Sequence, residues 1–180
     1  CDNAATALKS VVLADAGPAP GLTNRPRYPV SELVIYEQHV KGFSMALPGI
    51  PDALRGSFAA LAHPAAIAHF KQLGITTLSL LPVQQCLSEQ HLAERGMLNY
   101  WGYNTLGFFC PDPRLCAADT PEAQIAEFRD MVHVLHQNGL EVVIDVVFNH
   151  SVEGDGSGPT ISFRGLDNAS WYMLAADDRS

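Results

Sequence analysis

Apolar positions along the chain fall into two periods. Ile125, Phe128, Val132 and Leu135 are spaced three, four and three apart, which predicts an amphipathic helix with Thr120 as its cap, Pro121 at its first position and Gly139 past its end. Gly139–His150 follows directly as GLEVVIDVVFNH, a β-branched and apolar run interrupted by Asp145 and breaking into polar groups at Asn149 and His150. A strand apolar on both faces reads as buried between two layers, as in a parallel sheet covered by helices. Earlier, Leu33-Val34-Ile35-Tyr36 is a β-favouring run that ends in Glu37, Gln38 and His39. Residues 42–63 read as a loop carrying Pro48, Gly49, Pro51 and Gly56. Pro64 then opens a helix with Ile67, Phe70 and Leu73 on one face and Gly74 past its end. Ile75–Leu81, ITTLSLL, is a second strand halted by Pro82.

The order strand, helix, strand, helix, strand predicts an α/β fold of parallel strands joined by right-handed helical crossovers. Residues 1–30, with the short run Ser10–Leu13 and then many Pro, Gly and Asn, read as a lead-in or linker, and residues 31–180 as the folded part. Residues 151–180 are rich in Gly, Asp and Ser around Trp171-Tyr172, and no helix is predicted there. Three strands and two helices leave a sheet edge and one face open, which makes a poor free-standing domain.

Composition narrows the function classes. The 180 residues are 47% apolar and 17% charged, as in a globular protein. Net charge is −8 with no run of Lys or Arg, which argues against nucleic acid or an anionic membrane as a partner. No apolar stretch is long enough to span a bilayer, and a soluble chain is expected. Cys1, Cys86, Cys110 and Cys116 have no CxxC spacing, so reduced thiols in a cytoplasm are expected. The chain opens on Cys1 rather than Met and shows no signal peptide, so a piece of a longer protein is expected; a lipid-modified amino-terminal cysteine is the alternative.

The stretch from Pro82 to Asp119 reads as one long loop after the second strand, and loops of that length are usually functional. It carries Asn99-Tyr100-Trp101-Gly102-Tyr103-Asn104. Flat aromatic rings beside amides suit sugars, whose C–H faces stack on rings while hydroxyls take hydrogen bonds. NYWGYNTLGFFCPDPR (99–114) together with DVVFNH (145–150) resembles the α-amylase superfamily of glycoside hydrolases, in its glycogen-debranching and isoamylase branch. LVIYEQHVKGF (33–43) resembles the first barrel strand of that family, LGITTLSLLPV (73–83) the second, and HSVEGDGSGPTISFRGLDNASWY (150–172) the loop after the third.

The resemblance implies part of a (β/α)8 TIM barrel: strands 1–3, two intervening helices and a long loop after strand 2. It implies hydrolysis of α-1,6 branch linkages in glycogen or limit dextrin with retention, through an Asp nucleophile and a Glu acid/base on later strands. Those motifs are not in this chain, so it holds no catalytic residue, and the 180 residues alone are expected to be inactive. Their partners are then an α-glucan and the remainder of the barrel. Two alternatives stay open: a non-catalytic glucan-binding module, or an α-1,4-acting or trehalose-forming hydrolase of the same superfamily.

Residue by residue, the resemblance gives Tyr103 the ring that stacks on the glucose at the cleavage point, and His150 a hydrogen bond to the primary hydroxyl region of that glucose. Trp101 lines the same cleft or packs behind it. Asp145 orients neighbouring groups, and Glu37 and His39 are scaffolding. Asn149 stands where many α-amylases have a calcium ligand, but a strand-end cap serves as well, and neither a metal nor a cofactor is expected. Pairing Glu37 with Asp145 as hydrolytic carboxylates is rejected, because the family places that pair later. His133 and His136 share a helix face without a third ligand, and Cys110 and Cys116 are given no redox role.

Overall fold

The computed structural model of the chain describes Ala5 and residues 8–13 and 25–174. Expectations for the rest of the lead-in and for 175–180 lie outside the described residues. Three parallel strands form the main sheet: β1 (Ile35–Gln38), β2 (Thr77–Leu80) and β5 (Glu141–Ile144), in the order β1-β2-β5. Ile35 pairs with Thr77 and Thr77 with Glu141, so the three strands run in step. The strands are shorter than the apolar runs that announced them.

The crossovers explain the core. Pro64 opens α3 (Pro64–Gln72), and Ile67 and Phe70 are buried under the sheet. Thr120 caps α5 (Pro121–Gln137), which buries Met131 and Leu135. Tyr36, Gln38, Leu78, Leu80, Val142 and Ile144 share the face turned to these helices, because side chains alternate along a strand. Leu73 departs from its predicted role: it is half exposed at the end of α3, where the turn into Gly74 (φ +71°) carries it off the packed face.

Residues 42–63, expected to be a loop, instead hold part of α1 (Val40–Ser44) and all of α2 (Phe58–Leu61). Ser57 caps α2, and Phe58 and Leu61 are fully buried. These helices are too short for a period to show, and their order is tertiary. The Glu127 carboxylate on α5 accepts the amides of Ala59, Ala117 and Ala118 at 2.8–3.0 Å, tying α2 to the approach of α5.

The stretch 82–119 is likewise no open loop. It contains β3 (Gln84–Cys86) and β4 (Thr105–Pro111) as an irregular antiparallel pair, with α4 (Gln90–Ala93) between them. After β5 the chain does form a helix, α6 (Arg164–Trp171), kinked at Asp167. It buries no residue and spans only eight positions across its kink, too few for a helical period to stand out from sequence. The expectation of two-sided burial for the last strand also fails: Val143 is 50% exposed and the strand stops at Ile144. It is one edge of the sheet, paired only with β2, and its second face is covered only at the Glu141 end, by Tyr28. No described helix is long and apolar enough to cross a membrane.

Candidate functional site

Because the three strands are parallel, their carboxyl ends open on one side, where His39, Pro82 and Asp145 follow. The aromatic loop is held over this end by polar contacts. The Asn99 side chain accepts the Gly102 amide at 2.9 Å and donates to Glu89, while its own amide donates to Ser88 Oγ. Arg114 Nη1 donates to Asn99 O at 2.9 Å, and the same guanidinium grips Asp112 Oδ2 at 2.6 Å. Gly102 sits at φ +84° with its α-carbon against Pro82; a Cβ there would lie 3.0 Å from Pro82 O. Only glycine fits both the dihedral and the approach.

Two clusters of site residues result. In the first, the Tyr103 hydroxyl donates to Asp145 Oδ2, and the Tyr103 carbonyl lies 2.8 Å from His150 Nε2. His150 Nδ1 lies 3.0 Å from the Asn149 side-chain oxygen. Tyr103, Asp145, Asn149 and His150 thus form one hydrogen-bonded chain. Its phenol is pushed up to about 12, first by donation to Asp145, then by burial and by the negative charges of Asp145 and Glu37.

The second cluster is His39, Tyr100 and Trp101. His39 Nδ1 accepts the amides of Lys41 and Gly42, capping α1, and Nε2 donates to Tyr100 O at 2.7 Å. Those partners fix the neutral tautomer with the proton on Nε2. Burial is the main cause that lowers its pKa below the ordinary imidazole value. The Tyr100 ring stacks on the imidazole with centroids 4.1 Å apart, and Trp101 meets both rings edge-on while remaining 57% exposed. Glu37 is exposed on the uncovered face of the sheet.

The expected residues therefore gather at one end of the sheet but not around one cavity. A cleft of about 100 Å³ lies among His39, Asn99, Tyr100, Gly102 and Arg114. An apolar cavity of about 290 Å³ between β4 and α5 holds no expected site residue. Asn99 and Tyr100 were read only as part of the aromatic–amide cluster, and Asp112 and Arg114 only within the motif, none with a role of its own; the Asp-Pro-Arg spacing was the available signal for the last two. Among the described residues, no group of three His, Cys, Asp or Glu side chains is arranged to hold a metal ion.

No protein-family model matches the chain. It is 54% identical over 152 residues to a glycogen debranching enzyme of Serratia proteamaculans, covering 84% of this chain and 23% of that enzyme. The catalytic module of SpuA, a multi-modular glycogen-degrading pneumococcal virulence factor solved with an inhibitor, superposes with a TM-score of 0.73 at 25% identity, covering 99% of this chain and 26% of that one. A pullulanase from Bacillus acidopullulyticus superposes with a TM-score of 0.60 at 32% identity, covering 74% and 18%. The chain spans about a quarter of the length of the curated relatives it matches.

Proposed function

We propose, for a chain homologous over most of its length to part of the bacterial glycogen debranching enzymes, that it forms the first three strands of a (β/α)8 catalytic barrel. The whole protein would be a cytoplasmic glycoside hydrolase that opens α-1,6 branch linkages of glycogen or limit dextrin. Residues 31–180 are then the first part of that barrel, and this segment supplies one wall of the glucan cleft.

The observation that carries this reading is the Tyr103–Asp145 hydrogen bond. It joins the aromatic loop to the end of β5 across 42 residues of sequence, on the side of a parallel sheet where barrel enzymes keep their sites. In this reading the Tyr103 ring takes the C–H face of the glucose at the scissile bond, with its tilt held by Asp145. His150 faces the primary hydroxyl side, and Trp101 offers an exposed face further along the cleft. Asn149 steadies His150, and His39 holds Tyr100 in place from behind. Glu37 contributes negative charge near the phenol rather than chemistry. The nucleophile and acid/base would come from later strands, as two carboxylates roughly 5–5.5 Å apart for a retaining double displacement.

Reducing-sugar release from limit dextrin tests the reading. The full-length product of the reading frame should hydrolyse it, and this chain alone should not. Tyr103→Ala in the full-length protein should lower kcat/KM about a hundredfold, roughly 3 kcal/mol of transition-state contact. Turnover by the 180 residues alone, or an unaltered Tyr103→Ala enzyme, would overturn the division of labour.

A further inference from the structure

Glu153 is the most deeply buried carboxylate among the described residues, at 1% exposure, and no described cation pairs with it. A bare carboxylate in that position is strongly disfavoured unless hydrogen bonds replace its water. Four donors do so. Oε1 accepts the amides of Ile161 (2.9 Å) and Ser162 (2.8 Å), and Oε2 accepts the Arg164 amide (3.0 Å) and the Tyr172 hydroxyl (2.6 Å). The Arg164 guanidinium closes the turn on the carbonyls of Asp155 and Gly158. Gly158 packs so tightly on the Glu153 backbone that a Cβ would fall 1.7 Å from its carbonyl oxygen. Residues 151–172 are therefore one unit folded on a single anion.

That unit grips both flanks of Asn149-His150. On one side, Ser151 follows His150 directly, and its Oγ lies 3.0 Å from the Tyr172 hydroxyl that Glu153 holds. On the other side Phe148 stacks on Phe108 (5.8 Å), Phe108 on Phe163 (6.1 Å) and Phe163 on Trp171 (4.3 Å), all within 24° of parallel. We propose that Glu153 is a positioning residue: by folding 151–172 it fixes where the His150 imidazole stands, and so how a branched glucan is seated. This rests on the cleft assignment above.

The charge state agrees with the geometry. Burial pushes the Glu153 carboxyl up, but donation from Tyr172 and from the amides of Arg164, Ser162 and Ile161 outweighs it and holds the group below the usual glutamate range. A lowered carboxyl pKa gives the folded unit stability that is present above the unfolded value, about 4.3, and is lost as pH falls through the folded one.

Hydrogen exchange and kinetics on the full-length protein carry the test, with Glu153→Gln and Tyr172→Phe. A glutamine amide would set N–H groups against donors that need acceptors. In Glu153→Gln, exchange at Ile161, Ser162 and Arg164 should quicken at least about tenfold while Leu78 and Leu80 in β2 stay as in wild type. KM for limit dextrin should rise about tenfold with kcat within about threefold, because seating is lost and chemistry is not. Tyr172→Phe keeps the three amide bonds and should raise KM about threefold, which also covers the case in which Glu153→Gln fails to fold. Unchanged exchange at the three amides overturns the folding role. Quickened exchange with unaltered KM leaves a purely structural carboxylate and overturns the positioning role, as does a fall in kcat alone. A wild type inert on limit dextrin overturns the proposed function and, with it, any seating of substrate by Glu153.

Discussion

The two faces of the three-stranded sheet are built from alternate residues of the same strands, yet they end in opposite conditions. On one face Leu78 and Leu80 are fully buried beneath Phe70, Met131 and Leu135. On the other, Ile35 is 60% exposed and Val143 half exposed, with Glu37 and Ser79 between them. Only the foot of this second face is closed, where Thr77 Oγ1 donates to Glu141 at 2.8 Å and the Tyr28 amide donates to the same carboxylate at 3.1 Å. Parallel sheets are normally covered on both sides. The contrast leaves a core complete toward the helices and a second face largely open, as the proposed first arc of a barrel would present to its own interior.

The comparison breaks first on the covered face. Phe70→Ala should cost about 3–5 kcal/mol whether measured in this chain or in the full-length protein, because its environment is finished in both. Val143→Ser should cost under about 0.5 kcal/mol in this chain, as an exposed substitution, and more than about 1 kcal/mol in a full-length protein whose barrel, as proposed, covers this face. Denaturant unfolding of the four variants decides it. Equal costs for Val143→Ser in the two contexts would mean that the open face stays open, and the barrel reading would lose its support.

Gln38 sharpens the same contrast with a smaller effect. It lies on the covered face, 6% exposed, and neither side-chain amide atom has a hydrogen-bond partner among the described residues. A buried amide without partners is disfavoured, and methionine fills a similar volume without polar atoms. Gln38→Met should therefore raise stability by about 1 kcal/mol, roughly 2–4 °C in the midpoint of thermal unfolding. A drop in the midpoint would show that the amide is satisfied in solution and that this face is more polar than its burial indicates.

What sequence could and could not reveal follows from the same physics. The crossover helices were legible because a long apolar stripe, the Thr120 cap and Pro at the first position act locally: Thr120 Oγ1 does accept the Ala123 amide, and Ile67 and Phe70 do face the sheet. The parallel direction of the strands followed from alternation, and their order β1-β2-β5 from the resemblance to successive barrel strands. The hairpin β3-β4 was missed because its pairing is irregular, with bulges on both sides of Gln85, so no two-residue period survives. α6 was missed because it is held by Glu153 and by the Phe163–Trp171 stack rather than by an apolar face. At the site, the motif residues were readable through resemblance, whereas their wiring was not. Nothing in the spacing of Tyr103 and Asp145 announces a hydrogen bond, and a glutamate among glycines at 153 looks like solvated loop.

That wiring yields a further small effect, at the rim where the two faces meet the aromatic loop. The Tyr103 phenol is pushed up to about 12 chiefly because its proton is shared with Asp145. A phenol whose folded pKa lies above its unfolded value of about 10 contributes stability that is fully present below pH 10 and lost as pH rises through 12. Ultraviolet titration of the phenolate should therefore show one tyrosine ionising last. Tyr103→Phe should remove that component, and Asp145→Asn should move it down toward pH 10, because a neutral amide neither repels the phenolate nor binds its proton as strongly. Stability at pH 7 should fall by about 1 kcal/mol in either variant, less than for any substitution under Leu78. An unshifted titration in Asp145→Asn would mean that the loop and the end of β5 are not joined through this proton, and the rim would then be two independent walls.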